Sequence, residues 1–208
     1  MALRRKSWIA VMVAALFMAG LGLGLSCSKR NEYIDMGTYY IAIYEASRPD
    51  ATASSEGGDS SRACSRSGVL PWVNVDWNEA KAACEAAGAR LCNADEWGDA
   101  CDGVKGSGGS TYPYGNTYRG STCNGSDAGK ERAVPTGFMS ACVSGFGAYD
   151  MSGNVSEWTN ESSGSGRVIR GGSFDGASGS GYLACAVEVG SNPSNSHDSK
   201  GFRCCRDK

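Results

Sequence analysis

Ten cysteines in a chain of 208 residues are the feature that most narrows what this sequence can become. Reducing compartments keep thiols apart, so a count of this size reads as the disulfide framework of an exported protein. The N-terminal sequence points the same way. Arg4, Arg5 and Lys6 precede an apolar run from Trp8 to about Leu25, the basic-then-apolar order of an export signal. The run is also near the lower length limit for a membrane-spanning helix, so an uncleaved anchor is the alternative. Beyond Cys27 lie Cys64, Cys84, Cys92, Cys101, Cys123, Cys142, Cys185, Cys204 and Cys205. Nine is odd, so at most four bridges form among them and one thiol is left over. The plain outcome for that thiol is burial as a small hydrophobe.

The segment "LSCSKR" resembles a bacterial lipoprotein signal, in which the cysteine, here Cys27, becomes the lipidated first residue. Ser26 before it is suitably small. Gly24 departs from the larger aliphatic residue usual there. Ser28, where an aspartate would retain a lipoprotein at the inner membrane, implies the outer membrane of a bacterial envelope. The chain therefore divides into an export signal (1–26), a tether (27–37) and one domain (38–208). Removing residues 1–26 takes away Arg4, Arg5 and Lys6 and no acid, so the formal net charge moves from −2 to −5. No basic stripe remains, which leaves nucleic-acid binding without an electrostatic footing.

Two helices are marked by their ends. Asp76 can cap the first with Glu79 as reciprocal partner. Ala80, Cys84 and Ala87 then share a face, and Gly88 supplies the stop. The second starts at Asn93 with Glu96 three residues on, puts Trp97 and Cys101 on one side, and ends at Gly103. "TYYIAIYE" has the β-formers of a strand. Ser47–Gly68 is a long polar loop. Further strands are expected at Ala148–Met151, Val155–Thr159, Val168–Arg170, Leu183–Glu188 and Phe202–Arg206. The class is α+β: two short helices, short antiparallel strands, long glycine-bearing loops and a disulfide-rich, irregular frame. Such a loop-heavy chain gains more from staples and bound ions than from a large apolar core.

One dense stretch, "AYDMSGNVSEWTN", holds the residues most able to do chemistry. Asp150 and Glu157 are hard oxygen donors on either side of a Ser152-Gly153-Asn154 turn. Calcium takes six to eight such oxygens in flexible geometry. The same residues also fit a plain turn between two strands, or an acid pair for proton transfer. His197 is the chain's one histidine, and a lone histidine in a polar loop is normally solvated. It excludes a metal site built on two histidines. No nucleophile elbow, phosphate loop or dinucleotide fingerprint appears.

Five segments in order, "GARLCNADEWGDAC", "YPYGN", "FGAYDMSGNVSEWT", "RVIRGGSF" and "GFRCC", resemble the formylglycine-generating enzyme family, also called sulfatase-modifying factors. The resemblance implies an irregular fold related to the C-type lectins. It implies a structural calcium held by side chains of Asp150 and Glu157 and carbonyls of Gly153 and Val155, and a second site starting at Asn124 and Gly125 with Asp127 as a substitute acid. The family's oxidases bind copper(I) through two cysteines. The second matches Cys185, and the first falls on Ser180, whose hydroxyl does not replace a soft thiolate. An active-site tryptophan falls on Ser156, and an active-site serine on Ala177. Copper is therefore not expected, no catalytic residue is expected, and Cys185 is read as bridging to Cys204 rather than as a reactive thiol. A branch of the superfamily that uses iron needs two histidines and is excluded.

A scaffold kept without its oxidation chemistry is the function this implies. The expected ligand pocket comprises Ser156, Arg170, Ser173, Phe174, Ser180 and Tyr182, lined by "SFDGASGSGY" and "GSNPSNSHDS". These segments offer adaptable hydrogen bonding, which suits a carbohydrate or a protein surface outside the cytoplasm. They also resemble the variable stretches of retroelement-diversified lectin-fold display proteins. The alternatives are a working formylglycine-generating oxidase acting on a sulfatase cysteine, and an assembly component linked through the odd cysteine.

Overall fold

A computed structural model describes residue 27 and residues 33–103, 109–176 and 180–208. The export-signal segment and Ala177 lie outside the described residues. One four-stranded sheet has the order β1 (Tyr33–Asp35), β2 (Tyr39–Ala42), β10 (Cys204–Asp207) and β5 (Arg90–Leu91). A second has the order β8 (Glu188–Ser191), β7 (Gly166–Arg170), β6 (Ser156–Ser163) and β9 (Lys200–Phe202). A two-stranded ribbon pairs β3 (Ala46–Ser47) with β4 (Cys64–Ser65) inside the expected polar loop. All pairs are antiparallel except β6 with β9, which run parallel. The expected tether is thus partly structured, because β1 pairs along β2 from Tyr33↔Ala42 to Asp35↔Tyr40. The segment Ala148–Met151 forms no strand; it has one isolated bridge, Val143↔Tyr149, and the Tyr149 N–H donates to the Ile43 carbonyl (2.9 Å).

Both helices lie where their caps place them. Helix α1 spans Trp77–Ala86, and Asp76 Oδ1 accepts the Glu79 N–H (2.9 Å) while Glu79 Oε2 accepts the Asp76 N–H (2.9 Å). Helix α2 spans Ala94–Asp102; Glu96 Oε2 accepts the Asn93 N–H (2.9 Å), and Gly103 ends it in a left-handed conformation. Each helix packs its small and aromatic face on a separate apolar cluster. Ala80, Ala83 and Cys84 of α1 join Trp72, Trp158 and Phe202. Trp97, Ala100 and Cys101 of α2 join Ile41, Met151 and Cys205.

All ten cysteines are paired. Adjacent residues of a strand point to opposite faces, and β10 uses this twice. Cys204 bonds to Cys84 of α1, and Cys205 bonds to Cys92, which follows β5. The expected Cys185–Cys204 bridge is therefore replaced by Cys101–Cys185. The expected strand Leu183–Glu188 does not form. A short 3-10 turn covers Ser180–Leu183 and the strand begins only at Glu188, so Cys185 sits in a loop facing α2 rather than beside β10. Cys123 bonds to Cys142. Cys27 bonds to Cys64, which removes the expected spare thiol. A thioether lipid needs the same Cys27 sulfur, so this bridge and the expected lipidation of Cys27 exclude each other.

Candidate functional site

The "DMSGN" loop is built by three demands on the backbone. Asp150, Gly153 and Asn154 all have positive φ, at 60°, 74° and 60°. Asparagine and aspartate tolerate this region better than most side chains. At Gly153 nothing but glycine fits, because a Cβ would stand 2.4 Å from the Asn124 carbonyl oxygen. The close approach lets Asn154 knit the loop to its neighbours. Its N–H donates to Asn124 O (2.8 Å) and its Oδ1 accepts from Asn124 Nδ2 (3.0 Å) and Val134 N (2.8 Å).

Beneath this loop four charged side chains are wholly or almost wholly buried: Glu45, Asp150, Glu157 and Arg203. Arg203 holds Glu157 through Nη2–Oε1 (2.9 Å) and Nε–Oε2 (3.1 Å), and Trp97 Nε1 donates to Glu157 Oε2 (2.6 Å). Glu45 accepts from the Val155 N–H (3.1 Å) and Asn154 Nδ2 (2.5 Å). Asp150 Oδ2 accepts the Gly137 N–H (2.6 Å). Three carboxylates against one guanidinium leave two buried negative charges without a partner, an arrangement that must take up protons or a cation. Burial first, then the charges of Asp150 and Glu157, push Glu45 well above the usual carboxylate range. Burial likewise pushes Asp150 up to about 7, against the Gly137 hydrogen bond and Arg203.

Glu45 is the site residue that sequence reading missed. The signal was an acid closing the apolar run "TYYIAIYE", where a buried strand end leaves no water for it. The second expected set is only partly assembled. Asn124 is buried, and its Oδ1 has no hydrogen-bond partner among the described residues. Asp127 lies in the exposed turn Ser126–Ala128 and accepts from the Tyr118 hydroxyl (2.6 Å). The residues present fit a hard cation, with an unpartnered amide oxygen, surplus buried carboxylate charge and the Gly153 and Val155 carbonyls on the same loop. Glu157 would have to share an oxygen already held by Arg203 or Trp97.

The candidate ligand pocket lies on the opposite side of β6. Ser156, Arg170, Ser173 and Tyr182 line a cavity of about 210 Å³ together with Ile169 and Val189. Ser156 begins β6, where its N–H donates to Ser199 O (2.8 Å). Tyr182 and Val189 are 50% and 37% exposed, so the pocket has an apolar rim that the polar sequence of its loops did not suggest. Two expected residues fall elsewhere. Phe174 is buried and borders a different cleft with Arg132 and Asp198. Ser180 contributes the start of the 3-10 turn. Arg170 is committed to structure: Nη1 donates to Cys185 O (2.7 Å) and Nη2 pairs with Glu188. On the far side of Arg170, a cleft of about 620 Å³ lies between α2 and the Cys185 loop. Cys185 itself is buried and bonded to Cys101.

A two-helix, short-stranded, disulfide-stapled frame with this loop is an irregular fold of the formylglycine-generating-enzyme type, related to the C-type lectins. The match to the sulfatase-modifying factor enzyme 1-like domain family covers residues 26–208, and the chain belongs to that family. It is 35% identical over 151 residues to the inactive C-alpha-formylglycine-generating enzyme 2 of Mus musculus, covering 65% of this chain and 48% of the relative. It is 31% identical over 168 residues to the Mus musculus formylglycine-generating enzyme, covering 66% and 44%. The chain thus spans about half the length of the curated relatives it matches. Among solved structures, Treponema denticola variable protein 1 superposes with a TM-score of 0.64 at 20% identity, over 82% of this chain and 84% of that one. That likeness is one of fold.

The buried acids give a pH dependence of defined sign. Carboxyls whose folded pKa is raised hold protons that the unfolded chain gives up, so stability falls as pH rises from the ordinary value toward the folded one. In chelator, the thermal midpoint should fall between about pH 4 and about pH 7, the span over which Asp150 is shifted. A scanning-calorimetry series with a flat or rising midpoint over that span would contradict the buried, unneutralised carboxylates.

Proposed function

We propose that this protein is an exported, non-catalytic, ligand-binding member of its family in a bacterial cell envelope. The observation that carries the proposal is the Cys101–Cys185 disulfide. By resemblance Cys185 is the copper cysteine of the oxidases, and a disulfide sulfur is neither a thiolate ligand nor a nucleophile. The family contains both formylglycine-generating enzymes and relatives named inactive, and the loss of the other positions fits the second kind. Ser180 and Ser156 stand where a thiol and a tryptophan are expected. Export is supported by the five disulfides and the basic-apolar N-terminus. Anchoring through a lipid on Cys27 would leave Cys64 unpaired, whereas the Cys27–Cys64 bridge is compatible with signal cleavage or an uncleaved anchor but not with lipidation.

The pocket beside Ser156 is the proposed binding site. It combines hydroxyls from Ser156, Ser173 and Ser199 with the exposed Tyr182 ring. Hydroxyl donors beside an aromatic face suit the alternating polar edges and apolar faces of a sugar ring. An immobilised-glycan screen should give binding by the native protein. The signal should be lost in Ser156→Trp, which refills the cavity, and reduced in Tyr182→Ala, whose side chain is half exposed and whose loss leaves the core intact. Absence of any glycan signal, or equal binding by both variants, would overturn the carbohydrate reading in favour of a protein surface.

Calcium is proposed as the structural ion of the "DMSGN" loop, held by Asp150, Glu157 and the Gly153 and Val155 carbonyls, with Asn124 and Gly125 beginning a second site. It supplies positive charge to a buried cluster in acid excess and stabilises the folded state by mass action. Added calcium should raise the thermal midpoint of chelated protein by several degrees, and Asp150→Asn should cut that rise. Asp150 is the better probe than Glu157, whose removal also strips Arg203 of its partner. A midpoint indifferent to both chelator and calcium would exclude the ion.

A further inference from the structure

We propose that Asp175, His197 and Asp198 form a binding site for one divalent transition-metal ion of the zinc class. One ligand atom from each of the three lies within 4.8 Å of the other two. His197 Nδ1 is the nitrogen that faces the cluster. It stands 2.8 Å from Asp198 Oδ1 and 3.9 Å from Asp175 Oδ2. Ser199 Oγ lies 2.8 Å from the same nitrogen and the Ser199 N–H donates to it (3.3 Å), a contact that an ion would replace. The Ser173 hydroxyl donates to Asp175 Oδ1 (2.6 Å), which leaves Oδ2 as the oxygen nearer the imidazole.

The three side chains come from two loops far apart in sequence, and each loop is fixed by its backbone. The His197 carbonyl accepts from Asn74 N (3.0 Å) and Lys200 N (3.1 Å). On the other side, the Phe174 N–H donates to Asn154 O (3.0 Å) and the Phe174 ring is buried, which anchors the turn carrying Asp175. Lys200, which follows in β9, directs its Nζ to Ser191 Oγ (2.8 Å) rather than to the acids at hydrogen-bonding range. Two carboxylates and the chain's sole imidazole are thus gathered on rigid supports.

The geometry suits zinc. Metal–ligand bonds of about 2.0–2.2 Å place tetrahedral ligand atoms roughly 3.3–3.6 Å apart, between the 2.8 and 3.9 Å separations measured from Nδ1. The side chains of His197, Asp175 and Asp198 are 55%, 42% and 65% exposed, so small rotations close the difference. An imidazole with two carboxylates favours zinc over the all-oxygen cations, magnesium and calcium. Three protein ligands leave the fourth position open. Ser173, Ser199 and Lys200 also border the Ser156 pocket. An ion here would clamp the loop carrying Asp175 to the loop carrying His197 and Asp198, beside the wall of that pocket. The site is tested with the metal alone, so it stands or falls independently of the carbohydrate reading.

With one histidine in the chain, imidazole nitrogen NMR reports His197 without ambiguity. Untagged, calcium-saturated protein titrated with Zn²⁺ should shift the Nδ1 resonance and saturate at one equivalent, with no response to Mg²⁺. Asp175→Asn and Asp198→Asn should each weaken binding by about tenfold or more, and His197→Ala should abolish it. All three positions are exposed, and each variant's unchanged amide spectrum away from the site would confirm its fold. An imidazole resonance unmoved by a large excess of Zn²⁺, or affinity unchanged in Asp175→Asn, would overturn the assignment.

Discussion

The buried guanidinium of Arg203 is the contact on which the rest of the structure depends. It sits between β9 and β10, the last strands of the two sheets. Besides Glu157 it donates to the carbonyls of Ala42, Ile43 and Tyr149 at 2.6–2.8 Å. One side chain therefore ties the end of β2, the start of the acidic loop and the core of β6 to the C-terminal strands. A buried ion pair of this kind contributes little net stability against an apolar substitute, but removing one partner costs about 3–5 kcal/mol. Its value is in specification. Arginine can satisfy three carbonyls and a carboxylate at once because its planar fork has five donors.

That junction, with the disulfides, explains how a chain with so much loop holds its shape. Cys204 and Cys205 staple the same C-terminal strand to α1 on one face and to the β5 end on the other. Cys101–Cys185 then fixes the loop on which the family's oxidases, by resemblance, carry their copper ligand. The frame thereby gains a crosslink at Cys185, and the pocket beside Ser156 stays open.

Much of this was legible in the sequence for local reasons. The caps Asp76–Glu79 and Asn93–Glu96 mark both helices because the orphan N–H groups there need short-range partners. The opposite facing of Cys204 and Cys205 follows from strand geometry alone. The disulfide map did not, because pairing depends on which loop meets which helix, and Cys185 was misplaced by an expected strand that proved to be a turn. Glu45 was passed over for a related reason. It matters through Asn154 and the Val155 N–H, over a hundred residues away. Four expected pocket residues do converge, because Ser156, Arg170 and Ser173 lie on or beside paired strands. The apolar rim from Val189 was hidden in the late start of β8.

The central claim is that the oxidase scaffold persists here without its metal chemistry, and copper(I) binding tests it most directly. Native, unreduced protein titrated with copper(I) against a competing chelator should show no tight stoichiometric site, because Cys185 is bonded to Cys101 and Ser180 offers no thiolate. Tight binding at one equivalent that disappears in Cys185→Ser would contradict the account and return the protein to the oxidases.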